Sequence, residues 1–578
     1  MTREERARKR RDRQFKIRIN TMFSNSGFRH LTTRNRNINI AGSRSEVDAV
    51  YVLDNLIVIS EDTTTKSEHL RDHINKTGNF LKAIDENRDE FIQFLRDDID
   101  PEGKRISHDI HPMDFQFRYM YISINHANLR HFRSYPFLRY LSHANLKYFE
   151  ALCKCIHRSA KYELLSFLEV ELSDLDVRPG MRRNEYEGFV LSEARSGLPA
   201  NYKVLTFYID PETLIRIAFV LRKHSWVDVD MLFQRLLIKG KMKSMRKYLA
   251  EEKRVFVNNI IVALPEDVSF IGTDGVAISD EELRRGRAVN ITLPDRLNSI
   301  GIIDGQHRVY AYHEGEDQYE EEIAHKRLEQ QLLITGILFP RELPEADRLK
   351  LQARLFLEIN DKQTRAKGDL TQSIKMIVDP FNPVAIGKSV ILSLAEEGPL
   401  SGLLEVHYFE PNTIKTTSIV AYGLRHIVEV SNGNSDHSFY NTWRNPSKEL
   451  LLEENHDVRN EYVKYCAEQL NTFISAFKVK MSNSGWWTTD RKVSRALTTT
   501  SINGLVYCMR RLLMKNNLME FDDYVNGFDN LTIEFTPDIP FHSSRWRMLG
   551  DRIYYDCFAD AAERAEAEYD ENSGMNGA

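Results

Sequence analysis

The sequence predicts a multidomain α/β protein whose last third is mainly α-helical. Three observations predict it. Residues 46–61, EVDAVYVLDNLIVISE, place two β-branched runs on either side of Asp54-Asn55, the pattern of a β-hairpin. Residues 300–314, IGIIDGQHRVYAYHE, pass from an apolar run through a glycine into a helix-like segment. From about residue 411 to residue 560 the chain is mostly helical in pattern, most clearly in TTTSINGLVYCMRRLLMKN. A length of 578 residues leaves room for several domains. Hydrophobic residues at 42% and charged residues at 28% supply an ordinary globular core rather than a disordered chain.

The elements follow in order. The start, MTREERARKRRDRQFKIRIN, is arginine-rich without an apolar core segment, so it is not a signal peptide; over 1–39 it reads as a solvated, partly helical arm, with a nucleic-acid-contacting arm as the alternative. After the hairpin, residues 67–97 carry apolar side chains at helical spacing, and most of 139–173 reads as helix. Residues 203–209, KVLTFYI, read as a strand, and Asp210-Pro211 then starts a helix, with Asp210 as its cap. A basic helix spans 231–250. Strands follow at RVFVNNIIVAL, SIGIID and QLLITGILF, then a helix over EADRLKLQARLFLEIN. The tail beyond residue 560 is acidic and rich in small residues, which predicts disorder.

Several function classes are disfavoured at this level. A net charge of −5 gives no global signal for nucleic acid, so DNA binding must rest on local patches. No run of about eighteen apolar residues occurs, so no membrane span is expected. The five cysteines are mostly scattered, which fits a reducing cytoplasm. Cys153-x-Cys155 has no second close pair to complete a zinc site.

Chemistry concentrates in Asp304-Gly305-Gln306-His307-Arg308. A glycine at a strand-to-helix corner lets the backbone approach a ligand. The first helical turn presents free N–H groups to anions. Arg308 adds a permanently charged fork suited to phosphate. His307 can donate or carry a proton, and Gln306 can do both donor and acceptor work. Asp304 has three open roles: orienting Arg308, holding a metal-bound water, or acting as a base. Taken alone, the five residues read first as a helix cap with a surface arginine.

The pentapeptide with its aromatic-containing helix resembles the signature of the DGQHR-domain family. That family includes the DNA phosphorothioation protein DndB and the DpdB protein of deazaguanine DNA modification. FQRLLIKGKMKSMRKYLAEEKRVFVNNIIV (Phe233 to Val262) is similar to the family's upstream basic helix and strand, and LFLEINDKQTRAKGDL (Leu355 to Leu370) to its downstream block. The resemblance implies a ParB/sulfiredoxin-like α+β domain over 185–400. It further implies a site for a nucleoside triphosphate (ATP, CTP or GTP) at Gly305, Gln306, His307 and Arg308, with Asp304 and His307 as catalytic candidates. Asn360 and Arg365, with Lys362 beside them, would complete the pocket. The sulfiredoxin branch carries a cysteine before its His-Arg; Gln306 stands there in this chain, which removes sulfur chemistry.

A second pair of carboxylates lies on the hairpin. Asp48 lies on one strand and Glu61 at the end of the next, so an antiparallel pairing brings them to one end. Two such carboxylates suit Mg²⁺ and phosphodiester chemistry. The arrangement resembles the PD-(D/E)xK nuclease core, which implies a nuclease-like α/β domain over 40–180 with Asp48 and Glu61 as metal ligands and a catalytic lysine. The family's lysine position holds Thr63, so Lys66 is the substitute expected from the sequence. An inert nuclease-like fold and a plain acidic-ended hairpin are the alternatives. Lys241, Lys243, Arg246 and Lys247 form a basic run that could track a DNA backbone, or a solvated helix face.

These readings lead to one expectation for the whole chain. It is a cytoplasmic, nucleotide-dependent, DNA-acting protein of a bacterial DNA-modification or anti-phage defence system, with a helical domain over 401–560 and a tail over 561–578. Its expected partners are DNA and other proteins of that system, with self-association as a further option. The alternatives are a non-enzymatic DndB-like regulator and a DpdB-like ATPase accessory to base modification.

Overall fold

In the computed structural model the described residues are all except 1–2, 34–35, 66–68, 126, 176–183, 222–236, 362–367, 406–412, 432–436, 491–492, 537–540, 542–544 and 565–578. The chain is a mixed α/β protein that divides into two compact units, Met1–Arg348 and Leu349–Ala578.

The first unit opens with α1 (Arg3–Asn25). Phe15, Ile19, Met22 and Phe23 recur at helical spacing in its second half, and all four are buried. Then come β1 (Arg29–Leu31), the small hairpin β2 (Ile38–Ile40) and β3 (Ser43–Ser45), and the expected hairpin β4 (Ala49–Leu53) and β5 (Leu56–Thr63). Asp54 takes the positive φ of 50° that its two-residue turn requires. The helix expected over 67–97 is α2 (Leu70–Glu86) and α3 (Arg88–Phe94), ending in a π-turn at Leu95–Ile99. β6 (Gln116–Ser123) and β7 (Leu138–Leu141) follow, then α4 (His143–Ile156) and α5 (Lys161–Phe167). The stretch expected to be helical from residue 139 therefore begins as a strand.

These strands form a five-stranded sheet in the order β1-β4-β5-β6-β7. β4 and β5 are antiparallel, whereas β5, β6 and β7 run parallel. The crossover from β5 to β6 carries α2, whose Leu70, Ile74, Leu81 and Ile84 share a core with Val50, Val52, Ile57 and Ile59. The alternate residues Ala49, Tyr51, Leu56 and Val58 share a core with α1 instead. α1 and α2 thus cover opposite faces.

A second sheet is built from β8 (Glu185–Val190), β9 (Lys203–Ile209), β10 (Ala218–Phe219), β11 (Ile260–Ala263), β12 (Ser269–Ile271), β13 (Arg287–Thr292), β14 (Ile300–Asp304) and β15 (Leu332–Leu338). Its order is β10-β14-β11-β15-β9-β8-β13-β12. The helices between these strands are α6 (Glu193–Ser196), α7 (Pro211–Ile217), α8 (Lys239–Glu252), α9 (Gln306–Tyr310) and α10 (Glu320–Glu329). As expected, Asp210 caps α7, accepting from the Thr213 N–H at 2.7 Å.

The domain limits differ from the sequence reading. Phe15, Tyr51 and Met120 of the first sheet layer belong to the same core as Phe207, Ile260 and Ile302 of the second. A continuous apolar core joins both sheets in one unit. The division comes at Arg348, inside α11 (Glu345–Asp361), rather than near residue 400.

The second unit is helical: α12 (Gly368–Val378), α13 (Pro383–Glu396), α14 (Arg425–Ile427), α15 (Phe439–Thr442), α16 (His456–Asn483), α17 (Thr499–Met514), α18 (Phe521–Phe528) and α19 (Trp546–Cys557). Its core gathers apolar side chains of α13, α16, α17 and α19. Trp486 and Trp487 pack partly buried against it. All five cysteines are buried thiols outside any disulfide. Among the described residues, no single helix is long and apolar enough to cross a membrane.

Candidate functional site

Two of the sites expected from the sequence fall in the first unit. The first is the acidic end of the β4–β5 hairpin. Ala49 pairs with Ser60, so the next register position sets Asp48 opposite Glu61. The Asp48 N–H donates to Glu61 Oε1 at 3.2 Å, and the Asp62 N–H donates to Asp48 Oδ2 at 3.1 Å. This end coincides with the C-terminal ends of the parallel strands β5 and β6, where open α/β sheets place ligands.

The lysine that joins this cluster was not foreseen. Lys16 of α1 pairs with Asp48 and lies 3.4 Å from Asp62 Oδ1. One turn earlier, Asp12 of α1 accepts from the Thr64 hydroxyl. Thr63, at the lysine position of the nuclease pattern, donates instead to Thr65 Oγ1 at 2.8 Å. Lys66 lies outside the described residues. Glu46 is exposed beyond the hairpin.

The electrostatics show surplus negative charge. Burial holds the Glu61 carboxyl well above its usual range, and Asp48 and Asp62 push it further; the Asp48 N–H and Lys16 pull the other way. Burial raises the Tyr51 hydroxyl, with Asp62 and Asp48 adding to it. On the other side of the cluster the Tyr121 hydroxyl lies 2.9 Å from His73 Nδ1 of α2. Burial lowers the His73 pKa and nearby Lys76 adds to this, although Asp48 opposes them. His73 and Asp62 join Lys16 as site residues that sequence reasoning did not select.

The donor set fits Mg²⁺ in one respect. Mg²⁺ takes one or two carboxylates, completes its shell with water and substrate phosphate, and needs no all-protein cage. Asp48 and Glu61 are such a pair, with Asp48 and Asp62 adding to the burial that raises the Glu61 carboxyl. Among the described residues no group of three or more His, Cys, Asp and Glu is placed to hold a metal ion.

The second site is the corner at the end of β14. Gly305 takes φ 99°, and a Cβ there would stand 2.7 Å from Ile260 Cδ1 and 3.0 Å from Arg308 Nη2. Only glycine fits this turn. Arg308 Nη2 donates to Asp304 Oδ2 at 2.7 Å, which realises the orienting role open to Asp304. Arg308 Nε is buried and has no hydrogen-bond partner among the described residues. Gln306 is buried, and His307 is half-buried beside it. α9 is only five residues long, and its early N–H groups at Arg308 and Val309 already bond to the Gly305 carbonyl. The anion-binding capacity of this corner therefore rests on Arg308 more than on a helix dipole.

The corner is braced from behind by Arg246, which corrects its assignment to a DNA-facing patch. Arg246 is 1% exposed. It donates to the Ala311 and His313 carbonyls at 3.2 and 2.7 Å, just beyond α9, and to Asp317 and Glu320 at 2.7–2.9 Å. Its spacing places it on the same inward face as Met242 and Leu249, and an inward arginine must find carboxylates and carbonyls. Lys241, Lys243 and Lys247 stay exposed on α8, with Lys247 3.7 Å from Glu251.

Asn360 sits in the last turn of α11, in the second unit, and its side chain is not among those described. Lys362 and Arg365 lie outside the described residues. No family model, curated protein or solved structure matches the chain.

Proposed function

We propose that the chain is a nucleotide-dependent, nucleic-acid-acting protein of a bacterial DNA-modification or anti-phage defence system. In this reading the hairpin edge handles a phosphodiester and the Asp304–Arg308 corner holds a nucleoside triphosphate. The observation that carries it is the meeting of Asp48, Glu61, Asp62 and Lys16 at the end of parallel strands, in the element order α1-β4-β5-α2-β6.

Asp48 and Glu61 would hold Mg²⁺, which supplies positive charge to a phosphate oxygen and acidifies water. The chain's own residues do the rest. Lys16 brings the positive charge that Thr63 lacks. His73, kept neutral by burial, can take a proton as water adds to phosphorus. The bond from phosphorus to the leaving sugar oxygen breaks, and that oxygen gains a proton from solvent. At the other corner, the buried Arg308 Nε supports capture of a phosphate oxygen. The DGQHR resemblance leaves ATP, CTP and GTP open.

One observation favours a second, non-cleaving reading, that of a DndB-like regulator. Lys16 already pairs with the Asp48 carboxylate that a metal ion would need, so the edge can stand as an ion-paired, non-cleaving element while surface cations contact the nucleic acid. Both readings are tested by incubating plasmid and linear DNA with the full chain, with and without Mg²⁺ and each triphosphate. Cleavage that is lost in Asp48→Asn and Glu61→Gln supports the enzyme. Binding without cleavage supports the regulator, and absence of both DNA binding and nucleotide binding overturns the proposal.

A further inference from the structure

α1 carries a stripe of cations that leads to the acidic edge. Arg6, Lys9, Arg10 and Arg13 are exposed, and Lys16 follows them. At about 3.6 residues per turn, positions 6, 9, 10, 13 and 16 share one side of a helix, about 15 Å from first to last. Arg11 is exposed too but lies off that line.

The four exposed members make no ion pair or hydrogen bond with another described residue. Elsewhere many surface cations do pair, as Lys82 does with Glu86, Arg88 with Asp85 and Lys247 with Glu251. Four unpaired like charges along one helix repel one another, and a polyanion is what relieves that repulsion.

The helix is also fixed where it must be. Its second half is buried through Phe15, Ile19, Met22 and Phe23, and Arg18 is clamped to Glu150 at 2.7 and 2.8 Å. Asp12 is held by Thr64, and Lys16 by Asp48 and Asp62. The stripe therefore runs along a rigid rod whose inner end is the carboxylate cluster. The apolar side of α1 is spent in the protein core, which leaves no face to insert into a lipid surface.

We infer that Arg6, Lys9, Arg10 and Arg13 form a track for the phosphodiester backbone of a nucleic acid. The track delivers that backbone to the Asp48–Glu61 edge, with Lys16 as its last cation. This rests on the proposal that the edge acts on nucleic acid, and it transfers the main backbone contact from α8 to α1.

The test is the salt dependence of binding between the full chain and a fluorescent DNA duplex of random sequence. The variant Arg6→Gln/Lys9→Gln/Arg10→Gln/Arg13→Gln alters only exposed side chains. Its fold is checked by thermal melting and against the charge-keeping variant Arg6→Lys/Arg10→Lys/Arg13→Lys. The expected result is a slope of log K against log salt reduced by about 3 in the glutamine variant, with affinity at low salt down at least tenfold. The charge-keeping variant should retain the wild-type slope. An unchanged slope in the glutamine variant overturns the track while the nucleic-acid reading stands. So does a slope loss that appears only in Lys241→Gln/Lys243→Gln/Lys247→Gln. Failure of the wild type to bind any DNA overturns both. Wild-type binding to vesicles of anionic phospholipid as tight as to DNA also overturns the track.

Discussion

Lys16 Nζ lies 3.4 Å from Asp62 Oδ1 while also pairing with Asp48, so a side chain of the first helix closes an acidic edge built by two strands. The pair is only partly exposed, at 19% for Lys16 and 6% for Asp62, which limits solvent screening. Removing the ammonium leaves Asp48, Asp62 and Glu61 to repel one another. Lys16→Met should cost about 1–2 kcal/mol of stability at neutral pH. Urea unfolding at pH 7 and below pH 4 checks it, since the loss should shrink once the carboxylates are protonated.

Glu61 gives a prediction with a definite sign. Its folded pKa is raised above the usual 4.5 by burial and by Asp48 and Asp62. Between 4.5 and that raised value the folded chain binds more protons than the unfolded chain, so stability falls as pH rises through this window. Glu61→Gln keeps an acceptor for the Asp48 N–H and removes the charge. The variant should be more stable than wild type at pH 7, by on the order of 1 kcal/mol. It should lose that advantage below the usual carboxylate pKa. Thermal melts across pH 4–8 measure both.

The unequal legibility of the two sites has a physical basis. The β4–β5 hairpin, Gly305 and the cap at Asp210 rest on residues adjacent in sequence, where turn chemistry and alternation decide the outcome. Asp48 and Glu61 were within reach because a hairpin fixes its own register. Lys16 was not, since its partner Asp48 is 32 residues away and only tertiary packing brings them together. The apolar spacing of Phe15, Ile19, Met22 and Phe23 does mark α1 as a docked helix, which was the available signal that its cations are positioned. Arg246 shows the converse. A basic run suggested a solvated or DNA-facing surface, yet one member lies on the face that packs inward. Sequence patterning could have separated Arg246, which falls between Met242 and Leu249, from Lys241 and Lys243. The shared core of the two sheets was hidden for a similar reason: composition breaks mark loops, and a loop can join two layers of one unit as well as two domains.

Gly305 should be intolerant of any side chain. Its φ of 99° and the 2.7 Å approach that a Cβ would make to Ile260 Cδ1 act together. Gly305→Ala is expected to cost about 1–3 kcal/mol and to turn the Arg308 fork away from its present line. The checks are urea unfolding together with binding of a fluorescent triphosphate. The proposed nucleotide site predicts an affinity loss at temperatures where the variant is still folded.

Arg246 and the exposed α8 lysines should separate stability from binding. Arg246 satisfies Asp317, Glu320 and the carbonyls after α9 from a buried position. Its loss removes a buried cation from Asp317, Glu320 and the Ala311 carbonyl, while Arg327 still reaches Glu320 and the His313 carbonyl, so Arg246→Ala should cost about 3 kcal/mol. Arg246→Lys should recover little, because an ammonium cannot reach both carboxylates and both carbonyls in the fork geometry of a guanidinium. The Ala311 N–H bonds back to the His307 carbonyl of the corner, so triphosphate affinity should weaken in Arg246→Lys in step with stability. The salt dependence of DNA binding should not change in molecules that stay folded, because Arg246 faces no solvent. Urea unfolding, triphosphate titration and DNA titration at two salt concentrations, run on the same preparation, separate these effects. A shallower salt slope in Arg246→Ala molecules that stay folded would restore it to the DNA surface and contradict its burial.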